Sequence, residues 1–304
     1  MNFQIANAVL AEFDLRRQNL LKRIITAVVC LAVFIPILLL SGEIPLLFSG
    51  VIALLALISA YEICGCVGVR KAVYISFPSY ALVIASMALG ICYMQQLHEM
   101  SFKTFALWMF AILFLYVFVV FASSMLSNGG TRFSQACETI AAVVYIIIGF
   151  ISVLFTRYRD MGAYLLPLIF IGVWVTDSGA YFVGSLMGKH KLIPQVSPKK
   201  TVEGAVGGVL GCVLGYVIYA LVLTFAFDVK VNYLYLIILA VVVAIIDQIG
   251  DLIASFMKRE QGIKDFGNIF PGHGGVMDRF DSTLAVAPAI LFVLQLASMT
   301  IFKL

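Results

Sequence analysis

Residues Tyr233–Ile253 read YLYLIILAVVVAIIDQIGDLI, and this stretch decides what kind of molecule the chain makes. Everything from Tyr233 to Ile246 is apolar or aromatic. As a helix rising about 1.5 Å per residue, the segment is about 30 Å long, the hydrocarbon thickness of a bilayer. Two carboxylates, Asp247 and Asp251, break its far end. Spaced i, i+4, they project from one helical face and repel one another unless a cation lies between or beside them. Carboxylate oxygens with a phosphate completing the shell are what Mg²⁺ prefers; a protonated or Lys-paired acid is the alternative.

Working outward, similar apolar runs recur along the whole chain. Nine candidate spans are expected: Arg23–Leu40, Ile44–Glu62, Ala72–Met94, Thr104–Ala122, Glu138–Phe155, Ala163–Met187, Gly204–Phe227, Tyr233–Ile253 and Thr283–Phe302. The composition agrees. Of 304 residues, 62% are hydrophobic and only 12% are charged, whereas a water-soluble domain carries about 25% charged residues. The expected fold class is therefore an all-α, polytopic integral membrane protein. Its six cysteines are scattered through or beside apolar segments, and Cys64-Gly-Cys66 has no second pair and no nearby His, so they read as small buried side chains rather than zinc ligands.

Three regions are expected: a cytoplasmic N-terminal segment at 1–22, N-terminal transmembrane helices at 23–160, and a C-terminal transmembrane catalytic region at 161–304. The first apolar run lacks a small-x-small cleavage site, so it does not read as a signal peptide. Ala8–Leu20, with Arg16 and Arg17, reads either as an interfacial helix or as a polar tail. Placing the N-terminus in the cytoplasm leaves only five of the 20 Lys and Arg residues outside, namely Lys103, Arg157, Arg159, Lys230 and Lys303. That bias orients the chain with its N-terminus inside and its C-terminus outside. The two longest polar loops, His190–Glu203 and Ser255–Ser282, then face the cytoplasm.

Those loops carry the chemistry. Asp177 lies inside the sixth span, in Trp174-Val-Thr-Asp177-Ser-Gly-Ala-Tyr181. A carboxylate within a bilayer costs several kcal/mol unless it is paired or faces a polar cavity. An interhelical hydrogen bond through Thr176, Asp177 and Ser178 would satisfy it; a polar cavity open to the cytoplasm is the expectation favoured here. In the first loop, Ser197-Pro-Lys199-Lys200-Thr201-Val-Glu203-Gly204 offers ammonium groups and hydroxyls to an anion just before a helix begins. Simple basicity beside a span explains the lysines but not the whole run. In the second loop, Pro271-Gly-His273-Gly-Gly275 is a turn whose glycines let backbone amides approach a ligand. It leads to Asp278-Arg279-Phe-Asp281, where a guanidinium suited to bidentate phosphate contact is flanked by two carboxylates.

With these residues in view, the chain resembles a known family. Ser255-x-Met257-Lys258-Arg259-x4-Lys264-Asp265-x-Gly267-x2-Phe270-Pro271-x-His273-Gly274-Gly275-Val276-x-Asp278-Arg279-Phe280-Asp281 is similar to the signature of the phosphatidate cytidylyltransferase, or CDP-diacylglycerol synthase, family. The segments around Asp177 and Ser197–Gly204 resemble that family's other shared stretches, so the likeness covers roughly residues 174–282. It implies the reaction of CTP with phosphatidate to give CDP-diacylglycerol and pyrophosphate, dependent on Mg²⁺, inside an all-helical membrane fold with a cytoplasmic polar cavity. It further implies Asp251 and Asp278 as principal metal ligands with Asp281 close by, a monovalent cation beside the Mg²⁺, and a homodimer. No nucleic-acid partner is expected, and a bacterial cell (inner) membrane is the expected location.

The chemistry of the residues fits that reaction. A phosphate monoester is mostly ionised at neutral pH, with a second pKa of about 6, so the nucleophile needs no base. It needs relief from repulsion and alignment for in-line attack. His273 would then donate to a phosphate or orient the loop. Lys258, Arg259, Lys264 and Arg279 would hold the triphosphate, with Asp265 beside Lys264. Ser197, Lys199, Lys200, Thr201 and Glu203, with Asp177, would line the substrate site, holding either the nucleotide or the lipid phosphate. The nearest alternative is a CTP-dependent lipid kinase, with Asp265 or Asp281 as base. A more distant one is an ion-coupled transporter using Asp177, Asp247 and Asp251.

Overall fold

The computed structural model describes residues 26, 28–29, 32–96, 100–270, 272, 274–296 and 301–303. The expected N-terminal segment at 1–22 and His273 lie outside them, and the first expected span is described only in part, with 32–39 helical. Of the described residues, 78% are helical. Eight longer helices follow in chain order: α1 (Pro45–Cys66), α2 (Val73–Met94), α3 (Phe102–Leu126), α4 (Phe133–Tyr158), α5 (Gly162–Met187), α6 (Val202–Phe227), α7 (Tyr233–Glu260) and α8 (Met277–Leu296). The first seven of these are long and apolar enough to cross a membrane. Side chains such as Phe110, Phe114, Phe118, Leu210, Leu214 and Phe225 point outward, as a lipid-facing surface requires.

Local signals start and stop the helices. Pro45 opens α1, where its missing N–H costs nothing. Thr201 caps α6 by accepting from Gly204 N at 3.1 Å, and Asn232 caps α7 by accepting from Tyr235 N at 3.3 Å. The segment read as one loop from Ser255 is largely helical at both ends. Helix α7 runs on to Glu260, its last turn carrying Lys258 and Arg259, where cations suit the dipole. Gly262 then turns the chain with φ +65°. Helix α8 starts at Met277 with Asp278 in its first turn. The connection proper is thus only 261–276.

Short strands qualify the all-helical expectation. β1 (Lys191–Ile193) and β2 (Ser197–Thr201) form an antiparallel hairpin between α5 and α6, pairing Lys191 with Thr201 and Ile193 with Ser197. At the opposite end of α7 from the 261–276 connection, β3 (Lys230–Val231) pairs with β4 (Phe302–Lys303).

The core runs through α4, α5, α7 and α8, around fully buried Ile146, Phe150, Leu168, Ile169, Leu236 and Leu284. Tyr216 of α6 is fully buried and donates to Leu168 O at 2.7 Å. Helices α5 and α6 meet backbone to backbone. A Cβ on Gly179 would stand 2.7 Å from Gly207 O, and one on Gly204 would stand 2.7 Å from Ala180 O. Small residues are what allow such an approach when there is no hydrophobic gradient to drive packing. This contact sets Asp177 on α5 against the start of α6 and the hairpin that leads into it.

Candidate active site

Three helices bring the expected carboxylates together at one end of the bundle. Asp177 comes from α5, Asp247 and Asp251 from α7, and Asp281 from the first turns of α8. Their charges act on one another and on Lys200, Lys258 and Arg279. The closest opposite charges are Lys200 Nζ and Asp251 Oδ2, 2.5 Å apart. Lys200 also donates to Gln248 O at 3.4 Å. The basic hairpin is thereby tied to the polar end of α7.

The rest of the hairpin divides in two. Ser197 is half-buried and Lys199 exposed, so both remain open to a ligand. Thr201 and Glu203 are engaged in building the hairpin. Thr201 is buried under Gly184 and Gly188 as the α6 cap. The Glu203 carboxylate accepts from Lys189 N at 3.1 Å and His190 N at 3.2 Å, and lies 2.6 Å from His190 Nδ1.

Asp278 is the hub of the second loop. Its Oδ1 accepts from Lys258 Nζ at 2.9 Å, and its Oδ2 from Phe266 N at 2.8 Å and Gly275 N at 3.0 Å. Lys258 in turn lies over the Phe266 ring, 5.0 Å from its centroid. Gly274 turns with φ +84°, and a Cβ there would stand 2.8 Å from Asp278 Oδ2. The loop is thus wrapped around a buried ion pair. Arg259, Lys264, Asp265 and Arg279 keep exposed side chains around it, with Arg259 donating to Ile263 O at 3.0 Å.

Sequence reasoning missed residues from the N-terminal half that hold this loop from behind. Glu62, in the last turns of α1, is 2% exposed; it accepts from Val276 N at 3.0 Å and Met277 N at 2.8 Å. Glu138 of α4 accepts from Gln261 Nε2 at 2.7 Å, and Tyr145 of α4 donates to Asp281 O at 3.3 Å. The available signal was a carboxylate at the end of an apolar run, and that run gives no hint of its partner.

The donor set is all oxygen, as a hard divalent cation requires. Asp247 has no exposed surface, and neither of its carboxylate oxygens has a hydrogen-bond partner among the described residues. Asp281 Oδ1 accepts from Ser282 N at 2.9 Å, and its Oδ2 lies 3.9 Å from Lys258 Nζ, so lone pairs remain open. Among the described residues, no group of three or more His, Cys, Asp or Glu is gathered as a ready cage. The carboxylates are thus of the chemical type that suits a divalent ion but are not gathered as a cage.

A family model described as the cytidylyltransferase family matches residues 21–297 of the chain. Relatives along most of its length carry the name phosphatidate cytidylyltransferase. That of Staphylococcus haemolyticus is 36% identical over 277 residues, covering 90% of this chain and 98% of the relative. Those of Staphylococcus saprophyticus and Staphylococcus aureus are each 35% identical, over 277 and 280 residues, with the same shares covered.

Proposed function

Because the chain belongs to the cytidylyltransferase family, we propose that it joins CTP to phosphatidate, giving CDP-diacylglycerol and pyrophosphate. The observation that carries this reading is the mixed-charge end of the bundle. Carboxylates of α5, α7 and α8 stand beside Lys200, Lys258 and Arg279 where apolar helices end. A phosphatidate headgroup resting at that depth would meet the site without leaving the bilayer.

An ionised oxygen of the lipid phosphate attacks the α-phosphorus of CTP. The new P–O bond forms as the bond from the α-phosphorus to the bridging oxygen breaks, and pyrophosphate departs with that electron pair. No proton has to be removed from the nucleophile, because phosphate monoesters ionise with a second pKa of about 6. Two polyanions must still approach. Lys200, on the hairpin, and Arg279, at the exposed side of α8, lower their repulsion and hold them in line. Arg259 and Lys264 would take the triphosphate tail, with Asp265 orienting Lys264 and His273 donating to a phosphate. Ser197 and Lys199 would contact the nucleotide or the lipid phosphate.

Asp251, Asp278 and Asp281 would hold Mg²⁺, which when bound neutralises phosphate charge. Asp278 Oδ1 accepts from Lys258 and keeps a second lone pair, and Asp247 stands behind with oxygens that have no hydrogen-bond partner among the described residues. A monovalent cation beside the Mg²⁺ and a homodimer belong to the same reading. So do nine spans, a cytoplasmic N-terminus, an external C-terminus, and a polar cavity facing the cytoplasm from a bacterial inner membrane. The helices of 23–160 then act mainly as a brace, and 161–304 carry the chemistry.

The test is pyrophosphate release by the purified full chain in lipid nanodiscs, with phosphatidate, Mg²⁺ and each nucleoside triphosphate in turn. Release that needs both CTP and phosphatidate, with CDP-diacylglycerol as the lipid product, supports the reading. Phosphate transfer to a lipid alcohol with CDP as by-product would replace it with a lipid kinase.

A further inference from the structure

We propose that Glu62 is a positioning residue for the reaction: through two backbone hydrogen bonds, α1 sets the turn that carries Asp278, Arg279 and Asp281. This inference rests on the proposed activity for its kinetic consequence but not for its structural one.

The argument begins with cost. A carboxylate that is 2% exposed inside a membrane protein is unfavourable by several kcal/mol unless it is fully satisfied. Among the described residues Glu62 forms no ion pair within 4.0 Å, and its carboxylate accepts from Val276 N and Met277 N, the amides that open α8. Helix N-termini leave such N–H groups without intrahelical partners, and a negative charge there is further favoured by the dipole. A side chain from a helix more than two hundred residues earlier thus caps α8, using both carboxylate oxygens.

The loop is shaped to admit this carboxylate. A Cβ at Gly267 or at Gly275 would collide with Glu62 Oε1. Glycines on two sides of one carboxylate mean that the loop backbone closes directly upon it. The next residues along the capped turn are Asp278, whose Oδ2 also accepts from Gly275 N, then Arg279 and Asp281. Glu62 therefore fixes the turn from the α1 side, while Asp278 fixes it from within. It touches no reacting group itself. Its effect passes through the placement of Arg279 and Asp281, where a displacement of about 1 Å is enough to cost about a hundredfold in rate.

The experiment uses the full chain in nanodiscs and compares wild type with Glu62→Gln and Gly267→Ala. Glutamine keeps one acceptor oxygen but turns an NH₂ toward a second donor. The Gly267→Ala methyl pushes on the same carboxylate without removing its charge, so one variant remains if the other does not fold. Two readouts are taken. The first is amide hydrogen exchange of the peptide spanning 272–280, which reports the tether whatever the enzyme does. The second is kcat and KM for CTP and for phosphatidate.

The expected result is selective loss of protection in that peptide, with kcat down about tenfold to a hundredfold and both KM values within about threefold. Unchanged protection overturns the tether. Lost protection with unchanged kcat overturns the positioning role. A wild-type protein without activity, whose variants still lose protection, would sink the proposed function while leaving the capping of α8 by Glu62 in place.

Discussion

Lys200 of the hairpin and Asp251 of α7 form an ion pair with 2.5 Å between Nζ and Oδ2, at the place where the loop before α6 meets the polar end of α7. Both side chains retain some access to water, 22% and 31%. Such a pair stabilises a fold weakly but fixes the hairpin relative to α7. On the proposed reading, a triphosphate and its metal ion would compete for both partners.

Lys200→Met should therefore separate stability from activity. The unfolding free energy is expected to change by less than about 1 kcal/mol, because the pair is partly solvated. Turnover is expected to fall by about a hundredfold if Lys200 faces the phosphates as proposed. Thermal unfolding in nanodiscs and pyrophosphate release measure the two, and a variant with normal turnover would remove Lys200 from the site.

Asp278 should behave differently. It accepts from Lys258 Nζ and two backbone amides, and the two side chains are only 11% and 2% exposed. Asp278→Asn is expected to cost about 3 kcal/mol or more, since one partner of a buried pair is removed and Lys258 is left without its counter-charge. Limited proteolysis within 261–276 should accelerate in parallel. A double-mutant cycle with Lys258→Met should return a coupling of at least about 1 kcal/mol. Additive effects would mean that the pair does not hold the loop.

The α5–α6 contact predicts a position-dependent response to bulk. Gly179→Leu, whose Cβ would meet Gly207 O at 2.7 Å, is expected to destabilise by about 1–3 kcal/mol through overpacking. It should also reduce activity by shifting Asp177 and the hairpin. Gly50→Ala, with nothing within 4 Å of the added Cβ, should be neutral or stabilising by about 0.5–1 kcal/mol. Equal Tm values for the two variants would contradict the close backbone approach.

Divalent-ion removal gives a fourth prediction. On the proposed reading chelation should abolish turnover and Mg²⁺ should restore it, with Mn²⁺ as an effective substitute because the proposed donors are all carboxylate oxygens. Asp251→Asn and Asp281→Asn should each raise the Mg²⁺ concentration needed for half-maximal activity by about tenfold. Full activity in chelator would dismiss the metal from the reaction.

The helical architecture was readable because hydrophobic length is a local property. Runs such as Tyr233–Ile253 announce a membrane helix by themselves, and helices α1 to α7 coincide with expected spans. Basic loops and intramembrane acids are local signals too, so Asp177, Asp247, Asp251 and Lys200 could be named before their grouping was known. Long-range pairings could not. Glu62 looked like any acid at the end of a span, because its partners are backbone amides at 276 and 277, and amides carry no residue signature. Asp278 could be singled out as a candidate from its charged surroundings, but its bonds to Phe266 N and Gly275 N depend on the path of a loop. The helical ends of the Ser255–Ser282 segment were hidden by their charge, which reads as loop until the dipole preference of Lys258, Arg259 and Asp278 is taken into account.

The capping of α8 by Glu62 bears on how the protein is made. Helix α1 is synthesised well before Val276 and Met277 exist, so during insertion it carries an acid whose final partners have not yet been translated. Chains that stop short of residue 276 never receive them, and such fragments are expected to be recovered in lower yield than the same fragments bearing Glu62→Ala. The N-terminal half is thus completed by the turn before α8 as much as that turn is completed by it.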